Sequence, residues 1–211
     1  MKNSFNKKIL EKAYEWIKHN QKIVVITVVE TWGSSPRPIG SKMIVNENKE
    51  FFGSVSGGCI ESFIIQESLE IIKKNESFKI KKFKISNESA WNVNLSCGGE
   101  ITVYLEQMNF RGKALEQIIQ KQKNKLEFAL LTNLSTGENE IFEKSKSLNK
   151  NFEKFTDQIN SYYLSKNNGM IKDTNIFIEC YNNPLKVIII GAVHIAQYLT
   201  DFADKFDFEI Y

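Results

Sequence analysis

The 211-residue sequence has little of what marks several large classes of protein. Its three cysteines, Cys59, Cys97 and Cys180, are far apart and include no Cys-x-x-Cys pair, so reduced thiols are expected rather than a zinc ribbon or a disulfide framework. No segment approaches the roughly 18 consecutive apolar residues that a membrane-spanning helix needs. The N-terminus lacks the basic-then-apolar pattern of a secretory signal. We therefore expect a cytoplasmic protein without a membrane span.

An excess of charge of one sign is also absent. The sequence has 28 basic and 25 acidic residues, which give a net charge of +3, whereas a general nucleic-acid binder needs a clustered basic face. A local run of lysines from 79 to 84 alternates with apolar residues, as on the solvated face of a strand. No nucleic acid is expected as a partner, and the 42% hydrophobic composition is that of a globular protein.

The periodicity of the apolar residues predicts a mixed α/β fold. The β-branched run from Ile23 to Val29 is typical of a strand that is buried on both faces. Residues 78–85 predict a strand with a bulge near Lys81 and Lys82. Residues 152–164 predict either a surface helix or a mobile linker. The other predicted helices are 4–19, 60–74 and 114–123, and the other predicted strands are 42–45, 50–52, 101–105, 126–133, 140–143 and 176–179.

Glycine and proline are scarce overall but are concentrated between residues 31 and 61. Five of the eleven glycines and two of the three prolines lie there, in two stretches that a predicted hairpin brings together. Glycine lets a ligand approach the backbone closely, and a helix that begins after a Gly-Gly pair presents N–H groups to an anion. The alternative is two tight connections in a small sheet. The candidate binding residues of these stretches are Ser34, Ser35, Arg37, Gly57, Gly58, Cys59 and Glu61.

A second cysteine adjoins another pair of glycines. Cys97-Gly98-Gly99 opens the predicted strand at 101–105, much as Gly57-Gly58-Cys59 opens a helix. We predict that Cys59 and Cys97 face a common cleft, where soft thiolates could contact a metal centre. As isolated structural cysteines they would instead be buried and far apart. Cys180 has no glycine context and is expected to be inert.

The character of the sequence changes after Pro184. An apolar run, Lys186 to Ile190, precedes Gly191 and a predicted helix, which is the start of a Rossmann βαβ unit. Val193 occupies the place of the second glycine of the fingerprint, and the expected ribose-binding carboxylate would lie beyond Tyr211. The sequence thus predicts a domain at 1–183 and an incomplete Rossmann-like domain at 184–211, which is either truncated or completed by another chain. Binding of NAD(P) by this form is not expected.

Four motifs together resemble one known family. The stretches 27–37, 53–61, 97–100 and 191–196 are similar, in order and spacing, to those of the XdhC/CoxI family. The resemblance implies an accessory protein, not an enzyme, that binds the molybdenum cofactor (molybdopterin) and delivers it to an apo molybdenum hydroxylase such as xanthine dehydrogenase or carbon monoxide dehydrogenase. It also implies contact with a cysteine desulfurase and a possible homodimer.

The residues are compatible with that cofactor. Glycine N–H groups and the fork of Arg37 suit its phosphate, and Ser34 and Ser35 can donate hydrogen bonds. Two other classes of function stay open. One is a nucleotide-dependent oxidoreductase or a cysteine-nucleophile hydrolase, although only His19 and His194 could serve as a base. The other is a degenerate partner that binds protein but no cofactor.

Overall fold

The predicted mixed α/β fold is confirmed. The structure, a computed structural model, describes residues 2–33, 37–85, 99–108, 112–144, 146–191, 193–204, 206 and 208–211. The helices among them are α1 (Lys2–Lys18), α2 (Glu61–Lys74), α3 (Gly112–Lys123), α4 (Lys150–Glu153), α5 (Thr156–Ser165) and α6 (His194–Asp204). The strands are β1 (Ile23–Gly33), β2 (Lys42–Asn46), β3 (Phe51–Gly53), β4 (Phe78–Ile85), β5 (Gly99–Gln107), β6 (Phe128–Asn133), β7 (Asn139–Phe142), β8 (Gly169–Met170), β9 (Ile176–Tyr181), β10 (Lys186–Val187) and β11 (Glu209–Ile210).

The first sheet is built around the β-branched strand β1. It is antiparallel, with the order β3-β2-β1-β5-β4. Residues 23–29 of β1 are all buried, as predicted, because β1 is central and both faces of the sheet are covered.

Different helices cover the two faces of this sheet. On one face, α1 packs Ile9 and Leu10 into a core cluster with Val25 and Ile44. On the other face, α2 packs its buried residues, among them Ile64, into a cluster with neighbouring residues of β1, β2 and β5. We call these the α1 face and the α2 face.

A β-bulge lies in β1 rather than in β4. The predicted bulge at Lys81 and Lys82 is wrong, since β4 pairs with β5 in unbroken register. The register shift falls instead between Val28 and Glu30, where β1 has one residue more than β5. An extra residue reverses which face the following side chains point to. Glu30 and Trp32 therefore point to the α1 face.

The second sheet packs on the α1 face of the first. Its order is β7-β6-β9-β8, and α4 and α5 cover its other side through Phe152 and Ile159, so this segment forms two packed helices rather than a linker. Between the sheets, the ammonium of Lys42 lies 2.9 Å from a carboxylate oxygen of Glu179, with both side chains at most 5% exposed. The ammonium of Lys42 also donates a hydrogen bond to the hydroxyl of Thr27 at 2.9 Å.

Residues 184–211 form a small βαβ unit. β10 and β11 pair in parallel, and α6 connects them. The predicted buried strand at 186–190 is wrong: β10 has only two residues, and Ile188 and Ile190 are 73% and 97% exposed. A two-stranded sheet cannot bury both of its faces, and among the described residues no further strand joins it. The division into domains at residue 183 stays a prediction.

Among the described residues, no helix is both long enough and apolar enough to cross a membrane.

Candidate functional site

The strand order places the glycine-rich stretches at two levels of the first sheet. The end of β1 lies beside the start of β5, whereas β2 starts opposite Thr27, in the middle of β1. Gly33 lies opposite Gly99, and Gly53 lies opposite Met43 at the start of β2. We call the end of the sheet at Gly33 and Gly99 the loop end. The two stretches that flank the hairpin are adjacent beside the start of β2, where the N–H of Gly40 donates to Val28 and the N–H of Ser54 donates to Lys42, so their predicted proximity is observed there.

Gly53 is fixed by its surroundings rather than by a ligand. Its φ is +95°, and a β-carbon at this position would lie 2.5 Å from the carbonyl oxygen of Lys42 and 2.7 Å from Ile9. A side chain would therefore be strained and would clash with backbone. This glycine lets β3 turn into the loop at residues 54–60.

The loop at residues 54–60 wraps around the carboxylate of Glu61, the first residue of α2. The two serine hydroxyls, of Ser54 and Ser56, both donate to this carboxylate. Backbone N–H groups complete the set. They come from Val55 (3.2 Å) and Ser56 (3.0 Å) to Oε1 and from Gly58 (2.9 Å) and Ile60 (3.2 Å) to Oε2.

These hydrogen bonds keep Glu61 ionised. Partial burial of the carboxyl opposes ionisation, but the hydrogen bonds from Ser56 and Ser54 outweigh it and lower the pKa of Glu61 from 4.5 to about 2. Glu61 is thus the anion that organises the loop. The N–H of Gly58 donates to it, and the N–H of Gly57 donates to the hydroxyl of Ser54 at 2.9 Å. Binding of a cofactor by Gly57, Gly58 or Glu61 stays a prediction.

Cys59 lies on this loop and is half-buried. It packs against the core cluster of the α2 face. Cys97, Gly98, Ser34 and Ser35 lie outside the described residues, so the predicted common cleft of the two thiols stays a prediction, as does their contact with molybdenum. Within the described residues, no three His, Cys, Asp or Glu side chains converge on a point that could hold a metal ion.

Cys180 lies in a very different environment. Its thiol is buried in the second sheet, 3.3 Å from the carbonyl oxygen of Asn167. Burial, with a smaller contribution from Glu179, raises the pKa of Cys180 to about 12. This supports the expectation that Cys180 is inert.

Arg37 lies next to α1. Its guanidinium carbon is 5.7 Å from the ring centre of Phe5. The segment that follows is tied to three elements: the N–H of Gly40 donates to Val28, the carbonyl of Gly40 accepts from Asn6, and a β-carbon on Gly40 would lie 2.2 Å from the amide nitrogen of Asn168. These contacts hold the segment after Arg37 in place, and a phosphate-binding role for Arg37 stays a prediction.

A cleft of about 490 Å³ opens on the α1 face at the loop end, between the two sheets. Glu100 is held in it by ion pairs to Lys82 (2.5 Å) and Lys84 (3.1 Å). No sequence pattern indicates this cleft. Glu30 and Trp32 point into the cleft from the end of β1, and they do so because of the bulge after Val28. The lining includes Glu30, Trp32, Lys82, Glu100, Tyr162 and Asn168.

Gly191 is separate from these features. It lies in the connection between β10 and α6 with a φ of +122°, and no atom lies within 4 Å of the position that a β-carbon would occupy. A cleft of about 530 Å³ lies beside it, and the described residues that line this cleft all fall within 189–211. The structure thus does not bring Gly191 into the cleft between the sheets, and its cofactor-binding role stays a prediction.

The fold defines a two-sheet α/β protein with glycine-rich connections beside its first sheet. Residues 16–83 match the model of the XdhC and CoxI family. The chain is 34% identical over 101 residues to the molybdenum cofactor insertion chaperone PaoD of Escherichia coli, a match that covers 47% of this chain and 31% of PaoD. It is 25% identical over 93 residues to a probable xanthine dehydrogenase component of Bacillus subtilis, covering 44% of this chain and 28% of that protein.

Residues 16–83 are therefore similar to the XdhC and CoxI family, and the resemblance inferred from the motifs is confirmed. A crystal structure named as a xanthine dehydrogenase from Bacillus halodurans has the same fold, with a TM-score of 0.69 over 97% of this chain and 60% of that one, at 20% identity. The matches span less than a third of the two curated relatives.

Proposed function

We propose that this chain binds the molybdenum cofactor and delivers it to a molybdenum hydroxylase of the xanthine dehydrogenase or carbon monoxide dehydrogenase type. The observation that carries the proposal is Cys59, displayed on a glycine-rich loop that Glu61 fixes through hydrogen bonds. The similarity to PaoD, itself named as an insertion chaperone, supports the same class of ligand.

The donor set suits this cofactor in kind. A thiolate is a soft ligand of the type that molybdenum bound to sulfur accepts, and Cys59 would supply it, with Cys97 as the predicted second thiol. Arg37 would pair with the phosphate. The cofactor itself supplies the redox chemistry in the hydroxylase, so this chain needs to bind, shield and release it. No turnover is required of the chain, which is why we infer an accessory protein rather than an enzyme.

A cofactor-retention experiment tests the proposal. The purified chain is mixed anaerobically with molybdenum cofactor and separated by gel filtration, and protein-bound molybdenum is measured by mass spectrometry. We expect the wild type and Cys180→Ser to retain molybdenum and Cys59→Ser to lose most of it. Addition of the loaded wild type to a cofactor-free hydroxylase should then restore the activity of that enzyme. A folded wild type that retains no molybdenum would refute the proposal.

The same experiment addresses the competing classes. A degenerate binding partner is favoured by the exposed apolar side chains of residues 184–211, among them Ile190 and Phe202. Such a protein would co-elute with the hydroxylase and carry no molybdenum. A parallel titration with NADH addresses the oxidoreductase, for which we expect no binding. Contacts with a cysteine desulfurase and homodimer formation stay predictions from the family resemblance.

A further inference from the structure

The cleft between the two sheets has an unusual combination of side chains near Trp32. The indole of Trp32 is 73% exposed although it lines a concave surface. The side chain of Glu30, on the same face of β1, takes part in no ion pair or hydrogen bond within the part of the chain that the structure describes, and its charge acts on Lys82 only at longer range. By contrast, two lysines neutralise Glu100 on the adjacent strand. The cleft therefore offers a flat aromatic surface and one carboxylate available to a ligand.

The bulge in β1 determines where these two groups point. Glu30 pairs with Thr102 and Trp32 pairs with Glu100 across β1 and β5. Without the bulge after Val28, Glu30 would point to the α2 face, against an apolar core. Bulges are common beside binding sites because they redirect a side chain in this way. The regular pairing of β1 with β5 is thus interrupted directly before Glu30, and this interruption turns the side chain of Glu30 into the cleft.

The chemistry of the lining selects among ligands. Among the described residues of the lining, the charged ones are Glu30, Glu100 and Lys82, and Lys82 is already paired with Glu100, so a phosphate is not favoured here. An aromatic surface attracts a flat heterocycle by stacking. A carboxylate accepts two parallel N–H bonds from a donor edge with adjacent N–H groups. The 2-amino-4-oxopyrimidine ring, shared by pterins and guanine, has both properties, whereas adenine has an acceptor at the corresponding edge.

We propose that this cleft binds a 2-amino-4-oxopyrimidine ring, which stacks on Trp32 and donates its N–H edge to Glu30. Under the proposed function, on which this choice of source rests, the ring is the pterin of the molybdenum cofactor. The opposite wall, with Tyr162 and Asn168, closes the cleft over the ring. Tyr162 is oriented by its hydrogen bond to the carbonyl of Met170 at 2.7 Å, and Asn168 by the N–H of Cys180 at 2.8 Å.

Equilibrium titrations with three small ligands test the site without the metal. The full chain is titrated with pterin, guanosine and adenosine, and binding is followed by calorimetry. We expect pterin and guanosine to compete for one site and adenosine to bind at least about tenfold more weakly, since it cannot donate two bonds to Glu30. Equal binding of adenosine and guanosine would overturn the recognition of the donor edge.

Two substitutions locate the site. Glu30→Gln should weaken pterin and guanosine by about tenfold or more and leave adenosine unchanged, because the amide keeps one acceptor only. Trp32→Ala should weaken all three ligands by about tenfold, and Trp32→Phe by less. The matched controls are Glu70→Gln and Phe63→Ala, an exposed carboxylate and a 60% exposed aromatic residue on α2, which should change nothing. Thermal unfolding confirms that each variant is folded.

The outcomes separate this inference from the proposed function. Binding of pterin and guanosine that depends on Glu30 and Trp32, in a protein that retains no molybdenum cofactor, would support the cleft and refute the chaperone role. Retention of molybdenum that depends on Cys59, with pterin and guanosine binding unaffected by Glu30→Gln and Trp32→Ala, would overturn the cleft proposal and leave the chaperone role standing.

Discussion

The substitution Glu61→Gln tests whether an internal carboxylate holds the glycine-rich loop together. The change is nearly isosteric, but it removes the charge and replaces one acceptor oxygen with a donor. At Oε2, the N–H groups of Gly58 and Ile60 would then face an NH₂ group. Hydrogen bonds to a charged acceptor contribute more than neutral ones, and the N–H of Gly58 would lose its acceptor while that of Ile60 would keep only the hydroxyl of Ser56. The loop should therefore loosen, and the free energy of unfolding should fall.

The size of the effect follows from the pKa. Each tenfold change in proton affinity corresponds to about 1.4 kcal/mol, so the lowering from 4.5 to about 2 sets an upper limit of roughly 3.4 kcal/mol. Glu61 is only partly buried, and solvent screens part of this interaction. We therefore expect Glu61→Gln to lower the free energy of unfolding by about 1.5–2.5 kcal/mol at pH 7, measured by urea denaturation.

The pH dependence gives an independent check. Because the folded-state pKa of Glu61 lies below its ordinary value, the stabilisation is fully present above about pH 4.5 and is lost as the pH falls towards 2. The difference in unfolding free energy between wild type and Glu61→Gln should shrink over that interval. The control is Glu67→Gln on the same helix, whose ion pairs to Lys79 and Lys81 lie at the surface and should contribute less than about 1 kcal/mol. Equal losses for the two variants, or a difference that does not change with pH, would refute the reasoning.

Three further predictions concern the scaffold. Gly53→Ala should lower the free energy of unfolding by about 2 kcal/mol or more in urea denaturation, because its φ is positive and the new β-carbon meets backbone. Lys42→Met should cost on the order of 3–5 kcal/mol in the same assay, because it leaves Glu179 buried without its cation; adding Glu179→Leu should recover most of the loss. Cys180, with a pKa of about 12, should react with a thiol reagent at pH 8 only after denaturation, measured in a variant that lacks the other two cysteines.

Local sequence patterns predicted those parts of the fold in which each element is buried by its immediate neighbours. The run from Ile23 to Val29 could only be a strand covered on both faces, and that is its position. The turn chemistry of residues 42–53 fixed the hairpin, and the hairpin fixed the proximity of the glycine-rich stretches. In each case the periodicity of a few residues determines the outcome, because the competing periodicity would expose apolar side chains.

The features that the sequence did not reveal depend on tertiary context. The apolar run after Pro184 has the composition of a buried strand, but burial requires neighbouring strands, and within the described part of the chain β10 pairs with β11 alone. A bulge is a mismatch between two strands, so neither β1 nor β5 alone encodes its position. The sequence shows Glu61 shortly after two glycines, but it does not show that the loop turns back so that its N–H groups donate to the Glu61 carboxylate.

The two proposed contacts lie on opposite faces of one sheet, and this restricts how a single ligand could reach both. Cys59 packs on the α2 face, while Glu30 and Trp32 point to the α1 face. The hydrogen-bonded strands of the sheet leave no passage between the faces, so such a ligand must pass around the loop end. There Gly33 lies opposite Gly99, and neither residue has a side chain to obstruct it. The N–H groups of Gly57 and Gly58 already donate within their own loop and are therefore not available to a phosphate, whereas Gly33 and Gly99 are best explained by clearance for a ligand.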